Sequence, residues 1–147
     1  MLAVQLQDRD LWDVTSEQDP ARRMRVDFPI FSGTGAAAAS VVYFELEPGA
    51  HCGVHTDSAE EIVLILAGEA EAVVADERGR LSVGGIALVP ALVSHDVINV
   101  GEGTVKVVGF FASSTVVSVF EDPLMPGGRR VVGTPLPEEG IVAATPA

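Results

Sequence analysis

The sequence predicts an all-β domain, folded as a sandwich or barrel of short strands. Its 147 residues are 48% hydrophobic, which is enough for one globular core and is not typical of a disordered chain. Short runs of valine, isoleucine and leucine alternate with turns rich in glycine, proline and aspartate, as in all-β proteins. No stretch keeps the 3.6-residue period of an amphipathic helix over two or three turns.

The predicted strands follow one another along the chain with turn residues between them. Two short alternating pieces come first, at 11–14 and 24–28. The remaining predicted strands are 40–46, 62–66, 70–75, 80–83, 86–89, 95–100, 104–112 and 115–120. Residues 76–79 predict a hairpin turn that contains Gly79. Pro90 is expected to end the strand that precedes it.

We divide the chain into three parts. Residues 1–39 hold N-terminal strands that pack on the barrel or exchange with a second copy. Residues 40–120 form the barrel itself. Residues 121–147 are a Pro- and Gly-rich extension with four prolines from Pro123 to Pro137, and we expect this extension to be irregular.

Charge and composition exclude several classes of function. The net charge of -12 disfavours nucleic acids and anionic membranes as partners, because both require basic patches. No apolar run is long enough to span a bilayer. The N-terminus lacks a basic region followed by a long apolar one, so we expect a cytoplasmic protein. The single Cys52 excludes an intrachain disulfide and is interpreted as a small core residue.

Three residues near the middle of the chain predict a metal site. His55 and Asp57 point the same way if they lie on one strand. Glu61 stands just before the apolar run 62–66, where a carboxylate is costly to bury unless it pairs or meets a cation. Imidazole and carboxylate ligands suit Fe, Mn, Zn, Ni or Cu, and two histidines with one carboxylate are the ligand set of non-haem Fe(II) oxygenases.

Two spaced motifs support this interpretation. They are Gly49-x5-His55-x-Asp57-x3-Glu61-x6-Gly68 and Gly84-x5-Pro90-x-Leu92-x2-His95-x3-Asn99. In spacing and order they resemble the two conserved motifs of the cupin superfamily, over roughly residues 40–112. The resemblance implies a double-stranded β-helix, or jelly-roll barrel, in which His55, Glu61 and His95 hold one divalent metal. It also implies turns at Gly49, Gly68 and Gly84 and a structural role for Asn99.

Asp57 and Leu92 depart from the cupin pattern, where a histidine and a glycine are expected. A divalent metal held by three histidines and a glutamate keeps a charge of +1, whereas Asp57 in place of a histidine makes the site neutral. Such a site attracts an anionic substrate less. Asp57 is a metal ligand, an acceptor that orients a ligand imidazole, or a general base. His51 lies four residues before His55 and would face the same side of a strand. It either supplies a third imidazole or moves protons, or it is only a loop residue near the barrel mouth.

We therefore expect a metal-dependent enzyme acting on a small, apolar, oxygen-bearing molecule. The leading reaction is an O2-dependent oxidation of the dioxygenase type with Fe2+, and Mn2+, Zn2+, Ni2+ or Cu2+ are alternatives. A non-redox isomerase, cyclase or decarboxylase, with Asp57 or His51 moving protons, and a non-catalytic binding protein remain open. We also expect a homodimer formed through residues 1–30. The candidates for the pocket wall are Phe44, Leu64, Leu66, Val89, Val97 and Phe110.

Overall fold

The computed structural model describes residues 1–134, which form twelve β-strands and two short 3-10 turns. The strands are β1 (Trp12–Val14), β2 (Met24–Ile30), β3 (Ser40–Leu46), β4 (His55–Asp57), β5 (Glu61–Ala67), β6 (Ala70–Val74), β7 (Glu77–Leu81), β8 (Ile86–Val89), β9 (His95–Asn99), β10 (Val105–Phe111), β11 (Val117–Leu124) and β12 (Arg129–Gly133). The 3-10 turns are Leu6–Asp8 and Ser32–Thr34. The predicted all-β class is confirmed, and no described helix is long and apolar enough to cross a membrane.

The strands form two six-stranded antiparallel sheets in a jelly roll. One sheet has the order β1-β2-β3-β10-β5-β8 and the other β12-β11-β4-β9-β6-β7. Because the chain passes repeatedly from one sheet to the other, both sheets contribute to one core. Its most buried side chains include Val14, Leu46, Ile65, Val105, Val107, Val116 and Leu124. This double-layered arrangement leaves room for a site between the sheets.

Alternation along β5 decides which of its side chains reach that interior. Val63 and Ile65 are buried in the core, whereas Ile62 and Leu66 are 45% and 40% exposed. Glu61 has the parity of Val63 and is 5% exposed, so its carboxylate lies inside the sandwich. The strand thus places one acidic side chain among apolar ones.

The same alternation corrects half of the expected pocket wall. Phe44 and Val97 line the interior cavity as predicted. Val89 lies in the hydrophobic core instead. The remaining three candidates lie on the outer face of the first sheet, so their prediction was wrong: Leu64, Leu66 and Phe110. An apolar run on a strand does not show which of its two faces is buried.

The hairpin between β6 and β7 turns earlier than predicted. Val74 pairs with Glu77, so the turn consists of Ala75 and Asp76, and Gly79 lies within β7. Ala75 adopts a φ of 54° to make this turn. β7 is an edge strand, and its residues are mostly exposed and polar. Because turns have a similar composition, its first residues were assigned to the turn.

The N-terminal strands and the first part of the C-terminal extension are incorporated into the sheets. β1 pairs with β2 and β2 with β3, so the N-terminal strands pack on the barrel of their own chain. The extension was expected to be irregular, but its first part is regular. β11 continues to Leu124, and β12 pairs with it. Pro123 is tolerated since the β11–β12 register shifts between Val119 and Leu124. The rest of the predicted extension, residues 135–147, lies outside the described residues.

Candidate metal centre

Pairing between strands brings the predicted ligands together. His55 on β4 pairs directly with His95 on β9, and their ring centroids are 4.1 Å apart. Asp57 lies two residues beyond His55 on the same face, and Glu61 enters from the opposite sheet at the start of β5. The site therefore spans the sandwich, with three side chains on one sheet and one on the other.

The four side chains converge within a few ångströms. His95 Nε2 lies 3.0 Å from Asp57 Oδ2 and 3.6 Å from Glu61 Oε1, and His55 Nε2 lies 3.6 Å from Asp57 Oδ2. Ligand atoms of His55, Asp57 and His95 all lie within 4.8 Å of one another, a group that could hold a metal ion. Glu61 stands beside this group, within reach of His95.

Backbone carbonyls orient both imidazoles. His55 Nδ1 donates to Gly53 O at 2.6 Å, and His95 Nδ1 donates to Val93 O at 2.9 Å. A carbonyl only accepts, so each Nδ1 carries the proton and each Nε2 is directed to the centre of the site. This is the orientation that a histidine metal ligand requires.

Strand β11 supports the site from the side. Ser118 pairs with Asp57 and Phe120 with His55 across the β4–β11 ladder. Ser118 Oγ accordingly donates to Asp57 Oδ1, and the ring of Phe120 stacks on that of His55 with centroids 4.4 Å apart. Only the second carboxylate oxygen of Asp57 remains to face the imidazoles.

Two of the facing atoms are buried without a hydrogen bond in the described part of the chain. They are Asp57 Oδ2 and His95 Nε2. Their 3.0 Å separation is that of an ion pair, but the directions of the groups do not make a hydrogen bond between them. Leaving such atoms unsatisfied is costly, and one cation between them would satisfy both. The residues present therefore fit a divalent metal.

Burial and mutual proximity change the pKa values of Asp57, Glu61 and His95. Burial raises the pKa of Asp57, but the facing imidazoles of His55 and His95 outweigh it and hold that pKa well below its ordinary value. Burial also raises the pKa of Glu61 above its ordinary value, and the charge of Asp57 adds to the rise. Burial lowers the pKa of His95, yet Asp57 and Glu61 together raise it to about 10. A proton on His95 Nε2 therefore competes with a metal.

Comparison with known proteins identifies the family. The family model for the cupin domain matches residues 42–111. Residues 42–111 form a cupin domain. Among curated proteins, none matches this sequence.

Solved structures share the fold of this cupin. A putative sugar phosphate isomerase from Acidithiobacillus ferrooxidans has a TM-score of 0.63 and 17% identity, over 81% of this chain and 80% of its own. A predicted oxalate decarboxylase from Thermotoga maritima has a TM-score of 0.64 and 16% identity, over 76% and 98%. A recombinant oxalate oxidase in complex with glycolate has a TM-score of 0.63 and 21% identity, over 69% and 56%. At these identities the likeness establishes the fold alone.

A glycine on β10 makes room for the Glu61 carboxylate. A Cβ on Gly109 would overlap Glu61 Oε2 and would lie 2.8 Å from Val42 Cγ1. A glycine inside an apolar strand often marks such a close approach, so this residue was recognisable in the sequence. Gly109 thereby holds Glu61 at the edge of the site.

Leu92 keeps the backbone conformation of the glycine that it replaces in the cupin motif. Its φ is 66°, and its side chain is 72% exposed. Its backbone N–H donates to Asp57 O at 2.8 Å, which ties this loop to β4. The departure at Leu92 is therefore accommodated with backbone strain and without loss of the turn. Positive φ also occurs at the three motif glycines where turns were expected, Gly49, Gly68 and Gly84.

The four candidate ligands open into a small apolar cavity of about 70 Å³. Besides those ligands, Cys52 and Ser118, its walls are Met24, Val26, Phe28, Val42, Phe44, Val63, Val97, Phe111, Phe120, Leu124 and Val132. Within residues 1–134 no arginine or lysine lines this cavity. The walls are apolar and give no cationic partner to an anionic ligand.

His51 is not brought to the cavity. Its Nδ1 lies 2.7 Å from Asp96 Oδ2 and its Nε2 lies 2.8 Å from Asp19 Oδ2. Burial lowers the pKa of His51, but these two carboxylates more than compensate, so the pKa is raised. Because both nitrogens are engaged, the geometry gives no support to His51 as a third metal ligand or proton carrier. Asp96 also accepts from Gly53 N at 2.9 Å, and Gly53 in turn holds His55.

Cys52 is buried, as predicted, but one side of it also borders the cavity. Its Sγ lies 3.2 Å from Asp96 Oδ1 and accepts from Val97 N at 3.3 Å. Burial, with the nearby Asp96 charge, raises the pKa of this thiol well above its ordinary value. A neutral thiol is neither a nucleophile nor a metal ligand, so Cys52 acts here as a wall residue.

Sequence reasoning missed the residues that support the ligands. Ser118 and Phe120 lie on a predicted strand, but only the β4–β11 register shows that they face Asp57 and His55. Asp96 follows His95 directly, yet its contact with His51 depends on how the chain folds back. Asn99 was assigned correctly, since its side chain donates to backbone carbonyls at a turn.

Proposed function

We propose that this cupin is an enzyme that binds one divalent transition metal and oxidises a small, apolar, oxygen-bearing molecule with O2. The metal would be held by His55, His95, Asp57 and Glu61. The observation that carries the proposal is the pair of buried, unpartnered atoms, Asp57 Oδ2 and His95 Nε2, facing each other at the end of an apolar cavity.

The donor atoms favour a borderline metal. Two imidazole nitrogens and carboxylate oxygens match Fe2+ first, and Mn2+, Zn2+, Ni2+ and Cu2+ are alternatives. When bound, Fe2+ supplies redox chemistry and open coordination positions for oxygen-bearing molecules. The chain contributes two carboxylates that balance the charge of the ion, so the loaded site is neutral.

The protein residues have separable roles in this proposal. The carbonyls of Gly53 and Val93 fix the imidazoles of His55 and His95, and Ser118 fixes Asp57. The apolar walls keep water from the reacting groups and strengthen the electrostatic interactions there. None of these contacts requires a lid or a second domain.

Cavity size and charge restrict the substrate class. A cavity of about 70 Å³ accepts a small molecule, since about 10–15 Å³ of such volume holds one water. Two carboxylates and no arginine or lysine among the described lining residues disfavour anions. Oxalate and sugar phosphates appear in the names of the structural neighbours. Both are anions, so we consider them disfavoured as substrates of this chain. A neutral or weakly acidic alcohol, enol or ketone fits better.

Asp57 supports a second candidate function, a non-redox isomerisation, cyclisation or decarboxylation. Asp57 Oδ2 borders the cavity, and among residues 1–134 it has no hydrogen-bond donor. Its lowered pKa makes it a weak base, so it can accept only an acidic proton from a bound substrate. A bound metal would then supply only Lewis acidity, and O2 would not be consumed.

Metal content and O2 uptake test the proposal together. We expect the isolated protein to contain close to one transition metal per chain, and His55→Ala, Glu61→Ala and His95→Ala each to lose tight binding. His51→Asn is the matched histidine control and should retain the metal, because both nitrogens of His51 are bonded elsewhere. Full occupancy in any ligand variant would remove that residue from the site.

O2 uptake then separates the two candidates. With Fe2+ and a panel of small neutral alcohols, enols and ketones, we expect substrate-dependent O2 consumption that His95→Ala abolishes. Turnover that proceeds equally under anaerobic conditions would instead establish the non-redox candidate. Tight metal binding without turnover of any compound would indicate a binding protein.

A further inference from the structure

Gly53, whose carbonyl accepts from His55 Nδ1 at 2.6 Å, is itself held by two side chains from distant parts of the chain. Asp96 on β9 accepts from Gly53 N through its Oδ1 at 2.9 Å. Arg22, in the segment between β1 and β2, occupies the space beside the Gly53 Cα where a Cβ would stand. This glycine therefore lies between two charged side chains and one candidate metal ligand.

The contact with Arg22 requires a glycine at position 53. Gly53 has a φ of 99°, in the region that favours glycine. A Cβ there would lie 2.5 Å from Arg22 Nε and 2.6 Å from its Cδ. The guanidinium is anchored beyond this contact, because its Nη1 donates to Asp122 Oδ2 on β11 at 2.6 Å. The Arg22 side chain thus packs on Gly53 between two fixed ends.

Burial of these two side chains has a cost that general stability of the fold does not explain. Asp96 is 4% exposed and Arg22 is 5% exposed. Within residues 1–134, Arg22 Nε is buried without a hydrogen-bond partner. Apolar side chains of similar volume often stabilise a fold at least as well as buried charges do. The contact that Asp96 and Arg22 share is Gly53, and Gly53 holds His55.

We propose that Asp96 and Arg22 are positioning residues that act through Gly53 on the orientation of His55. The inference rests on the proposed metal site, because His55 needs a fixed orientation only as a ligand. Asp96 fixes the N–H of Gly53 and Arg22 fixes the side of its Cα, so the carbonyl oxygen keeps its direction. That oxygen accepts from His55 Nδ1 and leaves Nε2 facing the site, prepared for an ion.

The other imidazole of the site is held independently of these two residues. His95 Nδ1 donates to Val93 O, and among the hydrogen bonds of residues 1–134 neither Asp96 nor Arg22 contacts Val93. His51 is bonded to the second oxygen of Asp96, Oδ2, at 2.7 Å. Removal of His51 therefore leaves the bond from Gly53 N to Oδ1 in place. The chain thus supplies an internal control and a control variant.

Exchange of the imidazole Nδ1 protons with solvent, followed by NMR on the full chain without metal, tests the positioning role directly. We expect the Nδ1 proton of His55 to exchange at least about tenfold faster in Asp96→Ala than in the unmodified protein, because its acceptor is no longer fixed. Arg22→Ala, on a different segment, should have the same effect. The Nδ1 proton of His95 should exchange at an unchanged rate in both variants.

Two conservative variants separate positioning from a general loss of stability. Asp96→Asn should restore slow exchange at His55, since an amide oxygen also accepts from Gly53 N. His51→Asn loses contacts in the same neighbourhood and should keep the slow exchange, because it leaves Asp96 Oδ1 and Gly53 unchanged.

Co2+ binding to the same variants measures the consequence for the metal site. We expect Asp96→Ala and Arg22→Ala to lower the affinity for Co2+ by about 10–100-fold and to shift its visible absorption bands. Asp96→Asn should recover both. Absence of Co2+ binding in the unmodified protein would contradict the proposed function alone, and the exchange rates would then decide the positioning role.

Two results would overturn the proposal. One is a loss of stability in Asp96→Ala and Arg22→Ala while proton exchange at His55 is unchanged, which would make both residues merely structural. The other is equal acceleration of exchange at His55 and His95, which would show that the whole site has loosened.

Discussion

Replacing Gly109 by alanine should test how closely Glu61 is fitted into the site. The new Cβ would overlap Glu61 Oε2 and lie 2.8 Å from Val42 Cγ1. Overpacking of this kind costs about 1–3 kcal/mol. Replacing glycine by alanine also returns about 0.4–1 kcal/mol by restricting the unfolded chain. We therefore expect Gly109→Ala to lower the free energy of unfolding by about 1–2 kcal/mol.

Gly79→Ala is the matched control for this substitution. Gly79 also lies within a strand, but a Cβ there would meet no atom within 4 Å. We expect this variant to be unchanged or stabilised by up to about 1 kcal/mol. Urea denaturation of both variants gives the comparison, and the m-value shows whether the unfolded reference has changed.

The displaced carboxylate should also weaken metal binding. Because Gly109 supports Glu61 and is not itself a ligand, we expect a loss of about 10–100-fold in metal affinity. A Glu61→Ala background should remove most of the added cost of Gly109→Ala, since the main overlap is then absent. Unchanged stability together with unchanged metal affinity in Gly109→Ala would refute the fit described here.

Four further predictions concern single residues. Asp57→Ala should abolish metal binding if Asp57 is a ligand, and a loss of only about 10–100-fold would show instead that Asp57 orients a ligand. Asp57→His should bind metal, since it restores the usual cupin ligands of three histidines and one glutamate. Metal binding should release close to one proton, and affinity should rise with pH up to about 10, because His95 Nε2 must lose its proton first; calorimetry in two buffers measures this. Folding raises the pKa of His51, so the stability that its protonated ring contributes is fully present below its pKa in the unfolded chain and is lost as the pH rises through its pKa in the folded protein. The difference in free energy of unfolding between the unmodified protein and His51→Asn should therefore shrink as the pH rises. Leu92→Gly should raise the unfolding free energy by up to about 1 kcal/mol, because it relieves the strain at a φ of 66°.

The ligands of the candidate site were predictable because they lie at fixed spacings in two motifs. His55 and Asp57 share a face by strand parity alone, and the motif spacing adds Glu61 and His95. Their convergence in the structure agrees with that expectation. The strand boundaries were also largely predictable, with β3 and β8 falling where their apolar runs indicated.

The remaining features depend on packing that a single sequence does not specify. An apolar strand has two faces, so Leu66 and Phe110 could not be distinguished from Phe44 without knowing which face each sheet buries. His51 had the right parity for the site, but the two carboxylates that hold it elsewhere are 32 and 45 residues away in the chain. Such long-range contacts leave no local pattern.

Anomalous diffraction from crystals of the unmodified protein is the most direct test of the metal site. Data collected on either side of the absorption edges of iron, manganese, nickel, copper and zinc identify the element and its position. We expect one strong peak per chain, bonded to the Nε2 atoms of His55 and His95 and to the carboxylates of Asp57 and Glu61. No peak there in crystals soaked with each metal, or a peak between His51, Asp19 and Asp96 instead, would contradict the account.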